Sequence, residues 1–114
     1  MGIYTISTYK SIDTQEQGYP IVRDIQFWGY CINLDDVIST LNSRGKYIYD
    51  YENPYCIVEY YDVGIATRSR ERFFLQWDKD TQSYVLIDEP AEAACLTNFA
   101  MACHLLDEEE QVIQ

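Results

Sequence analysis

Apolar and polar residues alternate along much of the chain, and this pattern predicts mainly strands. Residues 3–9 are β-branched and aromatic, which is typical of a strand. Residues 11–19 are polar and predict a loop. Pro20 then opens a second strand over residues 21–28, because a missing N–H is tolerated at a strand start. Gly29 predicts a bulge or bend at the end of that strand.

One segment has helical spacing. Asn33 is a good N-cap, and Asp35 and Asp36 would lie in the first turn, where the helix dipole favours negative charge. Because Gly45 is typical of a helix end, we predict a helix over residues 34–44. Its apolar stripe comprises Leu34, Val37, Ile38 and Leu41.

The second half of the chain predicts four more strands and a helix. The strands cover residues 46–51, 55–63, 72–77 and 83–87. Residues 90–106 are Ala-rich and apolar on most sides, which predicts a helix lying across the core. The order β-β-α-β-β-β-β-α predicts a single α+β domain over residues 1–114, with two helices on an antiparallel sheet of about five or six strands.

The charge of the chain is uneven. The 114 residues include 19 Asp and Glu but 8 Lys and Arg, which gives a net charge of −11. Residues 80–114 contain 8 acids and no Lys or Arg, and they end in an acidic tail over residues 107–114. This acidity argues against direct binding to nucleic acid or to anionic lipid, because both need basic side chains.

Few residues are suited to metal, cofactor or nucleophilic chemistry. The single His104 follows Cys103, and adjacent residues of a helix point in different directions. The sequence contains no C-x-x-C pair, no second histidine and no glycine-rich phosphate loop, so we expect no metal and no cofactor. Residues 78–89 match part of a calcium loop, but Ser83 replaces the glycine of the sharp turn, and a hairpin is the favoured interpretation.

The cysteines and the start of the chain favour a cytoplasmic protein. The first ten residues have neither the basic nor the apolar region of a signal peptide. We therefore expect reduced thiols at the four cysteines. No apolar run approaches the roughly 20 residues of a membrane-spanning helix, so no membrane is expected.

Charged residues also occur within the predicted strands. Arg68, Arg70 and Arg72 form a local basic strip. The strip is consistent with an exposed edge strand, with an anion-binding site, or with an intramolecular clasp for the acidic end of the chain. Glu59 and Asp62 would lie on opposite faces of one strand, and we expect them to be solvated.

Acidic residues and tyrosine are abundant in this sequence, which contains 19 Asp and Glu and 11 Tyr. In charge and size the chain resembles nuclease-immunity proteins and anti-defence inhibitors such as anti-CRISPR and DNA-mimic proteins. The resemblance implies a non-enzymatic inhibitor that binds a protein partner and occludes its basic, nucleic-acid-binding surface. The candidate binding residues are Asp80, Asp88, Glu89, Glu92, Glu108, Tyr47, Tyr49 and Tyr51.

Two alternatives stay open at this point. Exposed tyrosines on an open sheet would suit a self-associating accessory protein, for example a homodimer. The other alternative is a small enzyme whose carboxylate–tyrosine site leaves no motif in the sequence.

Overall fold

The computed structural model describes residues 2–13, 21–49, 53–62 and 69–95. In chain order its elements are β1 (Gly2–Tyr9), β2 (Ser11–Asp13), β3 (Ile21–Arg23), β4 (Gln26–Cys31), α1 (Leu34–Tyr49), β5 (Tyr55–Asp62), β6 (Glu71–Asp78), β7 (Ser83–Ile87) and a 3₁₀ helix (Ala91–Cys95). The predicted α+β class is confirmed. No helix among the described residues is both long enough and apolar enough to span a membrane.

Five strands form the main sheet, in the order β4-β1-β5-β6-β7, and every neighbouring pair is antiparallel. The central strand is therefore β5. Strands β2 and β3 pair separately, with Ile12 opposite Val22. The antiparallel sheet agrees with the prediction, while the strand boundaries differ in the first half of the chain.

The predicted loop over residues 11–19 is wrong in part, since it begins with β2. The predicted strand over residues 21–28 is in fact two strands, β3 and β4. Asp24 separates them with a φ of 53°, a left-handed conformation that ends a strand and that Asp tolerates better than most residues. The predicted irregularity at Gly29 is confirmed, because the register of β1 and β4 shifts between Ile6 and Ser7.

The largest correction concerns the end of α1. The helix continues through Tyr49, so the predicted helix end near Gly45 is wrong. The predicted strand over residues 46–51 is wrong over residues 46–49, and residues 50 and 51 lie outside the described residues. Ile48 is buried and extends the apolar stripe of Val37 and Leu41 by two further turns. Gly45 is buried inside the helix, and a Cβ there would lie at the ordinary contact distance of 3.7 Å from the ring of Tyr84.

Asn33 caps the start of α1 as predicted. Its side-chain Oδ1 accepts a hydrogen bond of 2.9 Å from the backbone N–H of Asp36.

The hairpin of β6 and β7 is also confirmed, in place of a calcium loop. Asp78 pairs with Ser83 across a four-residue turn over residues 79–82. The Asp78 carboxylate accepts hydrogen bonds from the backbone of Asp80 and the hydroxyl of Thr81. Its oxygens therefore bind the turn itself.

The predicted last helix is only partly described. Its first residues form the 3₁₀ helix Ala91–Cys95 rather than an α-helix, and the N–H of Ala93 donates to the carbonyl of Pro90 at 3.0 Å. The remainder of the prediction, residues 96–106, lies outside the described residues.

Two apolar clusters lie on opposite faces of the sheet. The helix face is covered by α1, which packs against β1, β4 and β7. Its buried residues are Ile6, Val37, Leu41, Ile48, Cys56, Val58 and Tyr84. The second face, here called the 3₁₀ face, is covered by the 3₁₀ helix and the β2–β3 pair, and buries Tyr9, Ile57, Phe74 and Ala93.

Candidate functional site

The acids proposed from the sequence occupy two ends of the sheet. Asp80 lies in the turn before β7, whereas Asp88 and Glu89 follow directly after it. The five residues of β7 separate the two positions by roughly 16 Å. Glu92 lies in the 3₁₀ helix, and Glu108 lies outside the described residues.

The three candidate tyrosines do not form one row. Tyr47 and Tyr49 belong to α1 rather than to a strand, so the strand alternation that would align them does not apply. Tyr47 is 58% exposed and its ring lies edge-on to Trp28, with centroids 6.0 Å apart. Tyr47 is thus a supported aromatic surface residue, while Tyr51 lies outside the described residues.

The basic strip forms intramolecular contacts. Nε of Arg72 donates to Glu89 at 2.5 Å, and its Nη2 donates to the carbonyl of Ala93 at 2.9 Å. The guanidinium also lies 5.6 Å from the ring centroid of Phe74. These contacts support the clasp interpretation, because Arg72 joins β6 to the segment that follows β7.

The neighbouring arginines of the strip differ from Arg72. Arg70 makes an exposed ion pair of 3.4 Å with Asp62, and Arg68 lies outside the described residues. An exposed pair of this kind contributes little to stability.

Several exposed acids share one end of the sheet, here called the acidic end and defined as Asp35, Asp36, Glu71 and Asp88. The register explains why they meet. Cys31, just before α1, pairs with Tyr4, and Tyr4 lies opposite Tyr60, which itself pairs with Glu71. Within the described residues, no ion pair neutralises these four carboxylates, whereas Arg23, Arg70 and Arg72 are each paired with an acid.

Sequence reasoning missed a buried polar row on the 3₁₀ face. Glu59 is 0% exposed in the central strand, so the expectation that it is solvated is wrong. It lies opposite Thr5 on β1 and Arg72 on β6. Burial raises the pKa of Tyr61, and the charge of Glu59 raises it further. The sequence does indicate which face Glu59 lies on. It is two residues from Ile57 and two from Tyr61, and residues two apart in a strand point to the same face.

This row is the group of described residues closest to the carboxylate–tyrosine site of the enzyme alternative. Thr5, Glu59 and Tyr61 are buried, whereas the Arg72 side chain is 17% exposed, and the fully buried hydroxyl of Ser7 makes no hydrogen bond within the described part of the chain.

Cys31 and Cys56 differ in environment. Burial raises the pKa of the Cys56 thiol to about 12, so it is protonated and unreactive at neutral pH. Cys31 is partly exposed, and both are free thiols. Within residues 2–13, 21–49, 53–62 and 69–95, no three His, Cys, Asp or Glu side chains are grouped to hold a metal ion.

Comparison with known proteins found no family model, no curated protein and no solved structure that matches this chain. Its function is therefore inferred from the arrangement of its own residues.

Proposed function

We propose that this chain is a non-enzymatic, acidic protein-binding module that inhibits a partner by occluding its basic, nucleic-acid-binding surface. The observation that carries the proposal is the acidic end. None of its four exposed carboxylates forms an ion pair among the described residues, in which Arg23, Arg70 and Arg72 each pair with another acid.

The charge of the partner's surface explains why acidic residues would bind it. A protein surface that binds nucleic acid presents Lys and Arg to phosphates, and carboxylates at a comparable density can occupy those side chains. Opposite charges also steer the two proteins together, which raises the association rate more than the final affinity. Cytoplasmic location belongs to the same proposal, because a nucleic-acid-processing partner is met there.

The experiment is affinity capture from a lysate of the source cells, with the chain as bait at ionic strengths of about 0.05 M and about 0.5 M. We expect a basic protein to be retained at low salt, and its association rate to fall on the order of tenfold or more at high salt. A rate that is indifferent to salt would remove the electrostatic proposal.

A matched pair of variants tests whether the acidic end makes the contact with the partner. Asp88→Asn removes one charge from the acidic end, and Asp24→Asn removes one exposed charge elsewhere, at a left-handed position that Asn also tolerates. Slower capture by the first variant alone supports the acidic end as the contact. Equal effects would mean that only the net charge matters.

A further inference from the structure

The connection from β4 to α1 exposes three large apolar side chains. Tyr30 near the end of β4 is 66% exposed, Ile32 is 67% exposed, and Leu34 at the helix start is 40% exposed. Single apolar side chains at a surface are ordinary, but a group of them marks an interaction site. We name residues 30–36 the corner, because the chain turns there from the sheet into α1.

The corner is held in place from both ends. Cys31 pairs with Tyr4 in the sheet. On the helix side, the side chain of Asn33 accepts a hydrogen bond of 2.9 Å from the N–H of Asp36. The carbonyl of Asn33 accepts another, of 3.4 Å, from Val37, whose side chain is buried in the core. A surface fixed in this way loses little conformational freedom when a partner binds, which favours affinity.

Two carboxylates lie within the corner. Asp35 and Asp36 are exposed in the first turn of α1, and none of the ion pairs among the described residues includes either. Ile32 and Asp35 are three residues apart, so their Cα atoms lie at most about 11 Å apart. A standard interface covers roughly 800 Å² of each protein, a patch about 30 Å across. One partner can therefore contact the apolar and the acidic side chains together.

The mixture of acidic and apolar side chains narrows the class of partner. The carboxylates favour Lys and Arg, and the net charge of −11 opposes a second copy of this chain. Surfaces that bind duplex nucleic acid contact mainly phosphates, sugars and base edges, which gives exposed Ile and Leu little to pack against. Surfaces that bind single strands combine Lys and Arg with aromatic side chains, on which the bases stack. The corner carries groups that fit both parts of such a surface.

We infer that the corner binds the single-strand-binding surface of a protein. Its carboxylates, Asp35 and Asp36, take the place of phosphates beside Lys and Arg. Its apolar side chains, Tyr30, Ile32 and Leu34, take the place of bases on the aromatic rings. This inference rests on the proposed function for the basic character of the partner. It adds which residues make the contact and which class of nucleic-acid-binding surface they fit.

The test is an NMR titration of the isotope-labelled full chain with the synthetic peptide acetyl-Lys-Trp-Lys-Lys-Trp-Lys-amide. This Trp peptide carries the basic and aromatic groups of a single-strand-binding surface, and an Ala peptide of equal charge has Ala in place of each Trp. At an ionic strength of about 0.05 M, we expect the Trp peptide to bind saturably and at least about fivefold more tightly than the Ala peptide. The largest shifts should occur at the backbone amides of residues 30–36. Equal affinities, largest shifts elsewhere, or no binding would overturn the inference.

Matched variants separate the apolar part of the contact from the acidic part. Ile32→Ser should weaken the Trp peptide by roughly fivefold and leave the Ala peptide unchanged, since it removes apolar area alone. Asp36→Asn should weaken both peptides by the same factor, because the two carry equal charge. Leu86→Ser is the control, since Leu86 is 69% exposed but lies on β7, at the opposite edge of the sheet. A loss from the control as large as that from Ile32→Ser would contradict the inference.

The partner captured under the proposed function separates the two proposals. We expect it to bind single-stranded nucleic acid, to dissociate roughly fivefold faster from Ile32→Ser, and to associate more slowly with Asp36→Asn. A captured inhibitor target that binds duplex alone, or that depends on Asp88 but not on Ile32, would leave the proposed function standing and overturn this inference. Binding of the Trp peptide at the corner, with no basic partner in the lysate, would support the inference and contradict the proposed function.

Discussion

Val58 and Glu59 are neighbours in the central strand, and both are buried, yet they face environments of opposite chemistry. Val58 lies in the apolar cluster beneath α1, whereas Glu59 belongs to a polar row that crosses the 3₁₀ face. The helix face is an ordinary hydrophobic contact between a helix and a sheet. The 3₁₀ face combines an apolar cluster with a buried carboxyl group, which needs hydrogen-bond partners there.

The covering of the two faces also limits where a partner can contact the sheet. Both faces are covered, one by α1 and the other by the 3₁₀ helix and the β2–β3 pair. Because both faces are covered, we propose that a partner binds at the ends of the sheet, where the acidic end lies.

The largest effects should come from cavities on either face. Ile6→Ala on the helix face and Ile57→Ala on the 3₁₀ face should each reduce the free energy of unfolding by about 2–5 kcal/mol, because both side chains are buried. Urea unfolding measures both, and the exposed Ile38→Ala serves as control with a change below about 1 kcal/mol. A loss below about 1 kcal/mol for Ile57→Ala would mean that the 3₁₀ face is not a core.

The next effect distinguishes the clasp from a surface ion pair. Arg72→Gln removes the contacts to Glu89 and the Ala93 carbonyl, and should lower stability by about 1–3 kcal/mol. Arg70→Gln removes an exposed pair and should change stability by less than about 0.5 kcal/mol. Hydrogen exchange of residues 91–95 should rise for the first variant alone. Equal behaviour of the two variants would contradict the clasp.

Alkaline pH tests the buried hydroxyls of the 3₁₀ face. Burial raises the pKa of Tyr9 and Tyr61 above the ordinary value of 10, so folding favours their protonated forms. Their contribution is complete below pH 10 and is lost as the pH rises above it, by at most about 1.4 kcal/mol per pH unit for each tyrosine.

The measurement is urea unfolding between pH 9 and pH 11. Tyr9→Phe and Tyr61→Phe should each flatten the decline, whereas the exposed Tyr30→Phe should leave it unchanged. A decline that is identical in all three variants would show that these two hydroxyls are not the groups responsible.

The smallest expected difference concerns the reactivity of two cysteine thiols. In the native protein at pH 8, iodoacetamide should modify Cys31 much faster than Cys56, because the Cys56 thiol is buried and has a pKa of about 12. Peptide mapping by mass spectrometry reads each site separately. Modification of both at one rate, without urea, would indicate that the helix face opens readily.

The sequence was most informative where a pattern depends on neighbours along the chain. Alternation predicted the hairpin of β6 and β7, and Asn33 predicted the start of α1. Gly45 is typical of a helix end, but here it lies inside α1, next to Tyr84 and Trp77. The alternating tyrosines of residues 46–51 predict a strand, whereas α1 continues through Tyr49 and buries Ile48 against the sheet.

The candidate site was less predictable than the fold. Local sequence gives no indication that Asp35, Glu71 and Asp88 share one end, since the order of the strands brings them together. The burial of Glu59 likewise depends on the layer above the 3₁₀ face. What the sequence does contain is the excess of acid after Lys79, and Asp88, Glu89 and Glu92 remain predictions for the partner surface.

A competition measurement on the captured partner tests the proposed function most directly. The partner would be bound to a short labelled nucleic acid, and this chain added at increasing concentration while the bound label is followed. We predict full displacement, with an apparent affinity for nucleic acid that falls in proportion to the added chain, and weaker displacement by Asp88→Asn than by Asp24→Asn. A stable ternary complex of partner, nucleic acid and this chain would contradict occlusion.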